Sequence, residues 1–272
     1  MTHLYIPLIS EEITTVQPKR ADLQGVRGIA ILAVLGFHFL PNYFPNGYLG
    51  VDQFFVLSGF LMCMLLSKNS INGSTISFIL EFYYRRLKRI LPLYLLIIAL
   101  SLVGLFYFFP DTAFETNLIS GERSLVFISN RWKTEAEDYF SKVIFLSTAI
   151  DIFTHTWSLS VEVQFDFFIP IIYQLIVKTL PPQLEVHSFL LLAMSSYGYS
   201  KFFCTENDAF NSPIARMWQF STGIIVNLIS KKSAFEGIHN NGSFKSFIKY
   251  SCLISVVFII GCPIELPAEI LR

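Results

Sequence analysis

The stretch from Asp22 to Phe60, DLQGVRGIAILAVLGFHFLPNYFPNGYLGVDQFFVLSGF, constrains this chain more than any other, because it is long, apolar and nearly free of charge. Between Arg27 and Asp52 the only side chain that changes charge near neutral pH is His38. A run of this kind reads as membrane-spanning, and an ionisable group inside it is costly enough to mark a functional site or an interhelical contact. Arg27 and His38 are eleven positions apart, which at 3.6 residues per turn returns them to nearly the same helix face, about 16 Å apart along the axis. That spacing predicts an arginine at one membrane surface with a histidine well inside on the same stripe. The pattern suits a cation that holds an anionic group while a base works further in. It suits equally a topology anchor and an imidazole hydrogen-bonded to a neighbouring helix.

Composition places the whole chain in the same solvent. Hydrophobic side chains make up 53%, aromatic 16% and charged only 15%, with a mean hydropathy of +0.54, whereas soluble chains are about 25% charged. The formal net charge of zero removes the basic excess with which proteins neutralise nucleic-acid phosphates, so no nucleic-acid partner is expected. Cys63, Cys204, Cys252 and Cys262 show no CxxC or Cys/His spacing, and no metal is expected. The N-terminus lacks a basic segment followed directly by an apolar core, so no cleaved signal peptide is expected either.

Taken in order, residues 1–27 form a polar arm and residues 28–272 a transmembrane domain. Spans are predicted over about 28–40, 48–66, 90–110, 158–177, 186–203, 213–230 and 247–264, an all-α polytopic bundle of about seven spans. The cluster Pro41–Gly47 is a turn, making the first two spans a hairpin. Lys68, Arg85, Arg86, Lys88 and Arg89 face the single acid Glu81 in residues 67–89, which marks a cytoplasmic loop and hence a cytoplasmic N-terminus. Residues 111–156 are acid-rich, as expected on the far side, and the apolar stretch Val143–Ile150 within them reads as re-entrant or interfacial. The sequons at Asn72 and Asn241 fall in loops assigned to the cytosol, so glycan at Asn72 would overturn the topology.

Several side chains carry possible chemistry. Arg86 and Arg89, at i and i+3, form either a positive-inside stop or a clamp for phosphates. Glu162 and Asp166, at i and i+4, share one face of the fourth span; burying them calls for a polar cavity or a partner such as Arg216 or His38. They either pair structurally or serve acid–base work and orientation of His38. Asp52 is assigned to capping the second span, Ser58-Gly59 to a close-packing notch, and His155 beside Trp157 to the interface. A zinc site from His38, His155 and the two acids has no ligand spacing in its favour.

Five blocks in order give the sequence a specific resemblance. These are Arg27 and His38 within DLQGVRGIAILAVLGFH, GVDQFFVLSGFL from Gly50, FYYRRLKRILPLY from Phe82, THTWSLSVEVQF from Thr154 and ARMWQFSTG from Ala215. The chain resembles the acyltransferase-3 membrane O-acyltransferases, whose members often carry an SGNH hydrolase-like domain after the membrane part. The resemblance implies His38 as catalytic base, Arg27 as its helix partner, Glu162 as the first glutamate of the family's SVEEQFY block, and Arg86 and Arg89 as the arginine pair that meets acyl-CoA at the cytoplasmic face. Val163, Asp166 and Gln219 depart from the family's glutamate, tyrosine and glutamate, and the chain is expected to be shortened at its C-terminus. The implied activity is transfer of a short acyl group, such as acetyl, from acyl-CoA to a hydroxyl of a carbohydrate or lipid. Two alternatives stay open, a non-catalytic shortened form and a proton-coupled transporter.

Overall fold

The computed structural model describes residues 21–68, 75–130 and 151–235, and regular structure among them is helical. The helices are α1 (Ala21–Phe39), α2 (Leu49–Lys68), α3 (Thr75–Phe108), α4 (Asp111–Leu125), α5 (Thr156–Thr179), α6 (Pro182–Phe202), the short α7 (Glu206–Asn211) and α8 (Pro213–Phe235). Among them α1, α2, α3 and α5 are long and apolar enough to cross a membrane. Helices α6 and α8 occupy the predicted fifth and sixth spans. The predicted seventh span, the Val143–Ile150 stretch, both sequons and most of the N-terminal arm lie outside the described residues.

Helix α3 differs from expectation at its start. The charge pattern predicts a loop for the basic cluster and a span from Ile90, whereas α3 already begins at Thr75 and runs 34 residues. No glycine interrupts it before Gly104, the first proline is Pro92, and Glu81 pairs with Arg85 one turn on. At 1.5 Å per residue α3 is about 51 Å long, against a hydrocarbon core of about 30 Å, so the cluster is the helical extension of a span. Its outer face carries Leu93, Leu96, Leu100, Phe106 and Phe108, all exposed in the bundle and suited to lipid.

Helix α2 is the centre of the bundle, with α1 on one side and α8 on the other. Asp52 pairs with Arg216 near the start of both helices, and Lys231 reaches Ser67 near their ends, so α2 and α8 run parallel. Gly59 and Gly223 make this possible: a Cβ on Gly59 would stand 2.0 Å from the Phe220 carbonyl oxygen, and one on Gly223 would stand 1.9 Å from that of Val56. The expected notch is therefore real and two-sided. Around it Phe165 and Phe55 both stack on Phe220, at centroid separations of 3.8 and 4.8 Å, within a core that includes Met62, Cys63, Ile169, Tyr173, Phe189 and Ile224. Gly59→Ala must push the two backbones apart and is expected to cost about 1–3 kcal/mol. A thermal unfolding scan in detergent checks it against Gly198→Ala, where a Cβ meets nothing within 4 Å.

Candidate functional site

Packing of α1 against α2 sets the depth of the two residues singled out first. A Cβ on Gly47 would lie 2.2 Å from the Ala33 carbonyl oxygen, and one on Gly50 would lie 2.5 Å from that of Ala30. Gly50 thus stands level with Ala30, and Arg27, three residues back, is level with the second turn of α2. It is half-buried there, whereas His38, in the last turn of α1, is exposed. Relative to α2, Arg27 is thus level with the body of the helix, and His38 lies beyond its first residue. The reason is that glycines at 47 and 50 let α1 ride along the first turns of α2 instead of meeting it end to end.

Arg27 lies on the wall of a cavity of about 690 Å³ between α1, α2, α3 and α5. One end is formed by Phe78, Glu81 and Arg85 of α3 with Met64 and Leu65 of α2. The other holds Arg27, Phe54, Ile90 and Leu159, and the polar wall between carries Ser58, Arg86, Arg89 and Glu162. The volume lies in the range of small-molecule and cofactor sites. Apolar side chains line it together with four guanidinium groups, a mixture that fits an amphipathic anion.

The guanidiniums are not equivalent. Arg86 is held by both carboxylates of α5. Its Nη2 donates to Glu162 Oε1 at 2.8 Å and to Ser58 Oγ at 2.9 Å, its Nε donates to Asp166 Oδ2, and Ser58 Oγ donates to the same Glu162 oxygen at 2.7 Å. Asp166 is the most enclosed of the three, with a side chain 7% exposed. The i, i+4 spacing of Glu162 and Asp166 thus serves to grip one arginine from two successive turns. Neither acid meets His38 or Arg216. Among the described residues, Arg27 and Arg89 have no carboxylate within ion-pair distance, and Arg85 has only the exposed Glu81. The cavity's available positive charge therefore sits at Arg27, Arg89 and Arg85, the last of which went unnoticed as a site residue because in sequence it is one more base in a topology signal.

Arg216 has its own partners. Its Nη1 donates to Asp52 Oδ1 at 2.7 Å, its Nε donates to the Phe210 carbonyl, and its guanidinium carbon lies 4.8–5.5 Å from the ring centroids of Phe210, Trp157 and Phe55. Asp52, assigned from sequence to capping, is thus the counterion of a buried cation.

His38 stands away from the cavity. Its ring meets that of His155 with centroids 4.6 Å apart at 73°, edge to face, and its neighbour Phe37 in turn contacts Tyr48. His155 occupies the N-cap position of α5, so the last turn of α1 and the first of α5 come together at one end of the bundle. The sequence reading set His38 and His155 together only in a disfavoured zinc site and otherwise placed His155 at the interface, because no spacing links positions 38 and 155.

A helical bundle with several membrane-length apolar helices and an arginine-lined cavity among them is an integral membrane protein. The chain belongs to the acyltransferase-3 family, whose model, described as an acyltransferase domain, matches residues 20–267. Over 177 residues it is 29% identical to O-acetyltransferase OatA of Staphylococcus aureus strain NCTC 8325, a match that takes in 65% of this chain and 28% of the relative. It is 30% identical over 213 residues to BcsY of Komagataeibacter xylinus, named as a candidate membrane-bound transacylase, covering 78% of this chain and 52% of that one. The chain thus matches from about a quarter to about half the length of these relatives. No solved structure matches.

Proposed function

We propose that the chain moves an acyl group, acetyl in the simplest case, from acyl-CoA to a hydroxyl of a carbohydrate or lipid. The observation that carries this reading is the cavity: unpaired Arg27 and Arg89 stand over an apolar wall, as a ligand with phosphates at one end and an uncharged arm at the other would require. The names of the relatives, an O-acetyltransferase and a candidate transacylase, support the same class of chemistry. The charge bias of the sequence supports entry of the donor at the Glu81–Arg85 end, facing the cytosol with the N-terminus.

In this reading His38 takes the proton of the acceptor hydroxyl. The oxygen attacks the thioester carbonyl carbon, the carbon–sulfur bond breaks, and the departing CoA thiolate recovers the proton from His38. Arg89 and Arg27 hold donor phosphates. Arg86, gripped by Glu162 and Asp166, keeps the cavity wall in shape and contributes to binding only when a phosphate displaces a carboxylate from it. These carboxylates keep Arg86 in place rather than orient His38.

Labelled acetyl-CoA supplied to membranes that contain the chain tests the proposal, since label must appear on a carbohydrate or lipid above the level of membranes without it. Absence of that label overturns the activity. The arginine assignment has its own check. Arg27→Gln and Arg89→Gln should each weaken acetyl-CoA binding by about 10- to 100-fold, the value of losing a charge-assisted contact of about 1.5–3 kcal/mol, and the loss should shrink as salt rises. Equilibrium binding of labelled acetyl-CoA to the purified chain measures both, and unchanged affinity returns the two residues to topology.

A further inference from the structure

We propose that His155 is the positioning residue of His38. The inference rests on the reading of His38 as the base. A base imidazole is ordinarily held by an acceptor on its second nitrogen, a carboxylate or carbonyl that fixes the ring. His38 has no such acceptor: among the described residues no hydrogen bond reaches a ring nitrogen of either His38 or His155. The two acids that sequence alone offers for the task are committed elsewhere, Glu162 to Arg86 and Ser58 and Asp166 to Arg86. Among the described residues the aromatic rings that touch His38 are Phe37 on its own helix and His155 at the N-cap of α5.

The His155 contact differs in kind from that with Phe37. Phe37 moves with α1, whereas His155 belongs to α5, whose first turns are anchored by Thr156 to the Ser124 and Ser129 hydroxyls and by Gln164 to the Phe127 carbonyl and the Asn130 side chain. Ring contact at 4.6 Å and 73° favours one direction of an otherwise exposed imidazole and refers it to this anchored helix. Among the described residues no hydrogen bond occupies a ring nitrogen of either histidine. Orientation therefore comes from ring contact.

The test uses the full chain in membranes, with labelled acetyl-CoA as donor and endogenous membrane acceptors. His155→Ala removes the ring and should lower the transfer rate on the order of 10²-fold, the usual consequence of misplacing a reacting group, with acetyl-CoA affinity unchanged because the arginine cavity is not touched. His155→Phe restores a ring of similar span without nitrogens and should recover most of that loss. Two results overturn the proposal. One is a His155→Ala rate equal to that of the unsubstituted chain. The other is a His155→Phe variant that binds acetyl-CoA normally yet transfers no faster than His155→Ala, which would make the His155 nitrogens themselves necessary. Should His155→Ala lose acetyl-CoA binding as well, His155→Phe decides alone: transfer near the unsubstituted rate supports positioning, and loss of transfer with binding intact refutes it. Failure here is distinguishable from failure of the base assignment, since a His38→Ala variant that transfers normally removes the base whatever His155 does.

Discussion

Replacing His38 by alanine should abolish transfer of label from acetyl-CoA while the chain still inserts and still binds its donor. General acid–base catalysis by a positioned side chain contributes typically 10²- to 10⁴-fold, and about that much of the rate should disappear. The separation of functions follows from geometry. His38 is in the last turn of α1, and Arg27, on the cavity wall, is about 16 Å away along the same helix. Truncating an exposed imidazole opens no core cavity and leaves no buried polar group without a partner. Donor affinity and thermal midpoint should therefore be those of the unsubstituted chain. A variant that keeps its transfer rate would end the assignment of His38 as base, and a variant that loses donor binding would place the imidazole in the donor site instead.

Asp52→Ala should destabilise the bundle more than Gly59→Ala does. Arg216 is enclosed by Phe55, Trp157 and Phe210, its side chain is 3% exposed, and Asp52 supplies its counter-charge. Removing one member of a buried ion pair leaves an uncompensated charge and costs about 3–5 kcal/mol. The Phe210 carbonyl and the more distant Gln219 side chain, 3.4 Å from Nη1, remain as acceptors but carry no full negative charge. Asp52→Asn keeps an acceptor and should cost less. The combined Asp52→Leu, Arg216→Met variant removes both charges and should recover much of the loss, so the effects of the two positions are strongly non-additive. Thermal unfolding of the unsubstituted chain, Asp52→Leu, Arg216→Met and the double variant in one detergent gives the cycle, and additive losses would show that the pair is not coupled.

Resemblance to relatives and physical reading of the residues illuminate different parts of this protein. Long uncharged runs separated by turn residues are enough to specify a membrane-type helical bundle, because in hydrocarbon the backbone must satisfy its own hydrogen bonds. The hairpin of α1 and α2, the face shared by Arg27 and His38, and that shared by Glu162 and Asp166 all follow from local periodicity. Gly59 at a close crossing was legible too, as a small residue beside a serine in an apolar run.

What periodicity cannot fix is which helix each face meets and at what height. Glu162 and Asp166 had Arg216 and His38 as candidate partners by sequence; the crossing of α3 against α5 gives them Arg86 instead. Asp52 neutralises Arg216, because α2 and α8 run parallel through Gly59 and Gly223. The two glycines at 47 and 50 set Arg27, half-buried, beside the second turn of α2 and leave His38 exposed. The sequence alone therefore determined the all-helical class and the chemistry each long apolar face carries, but not α4, α7 or the early start of α3. Only the tertiary structure decided the partners, since a long-range contact depends on crossing point and axial offset, quantities set by packing across helices and written in no single stretch of chain.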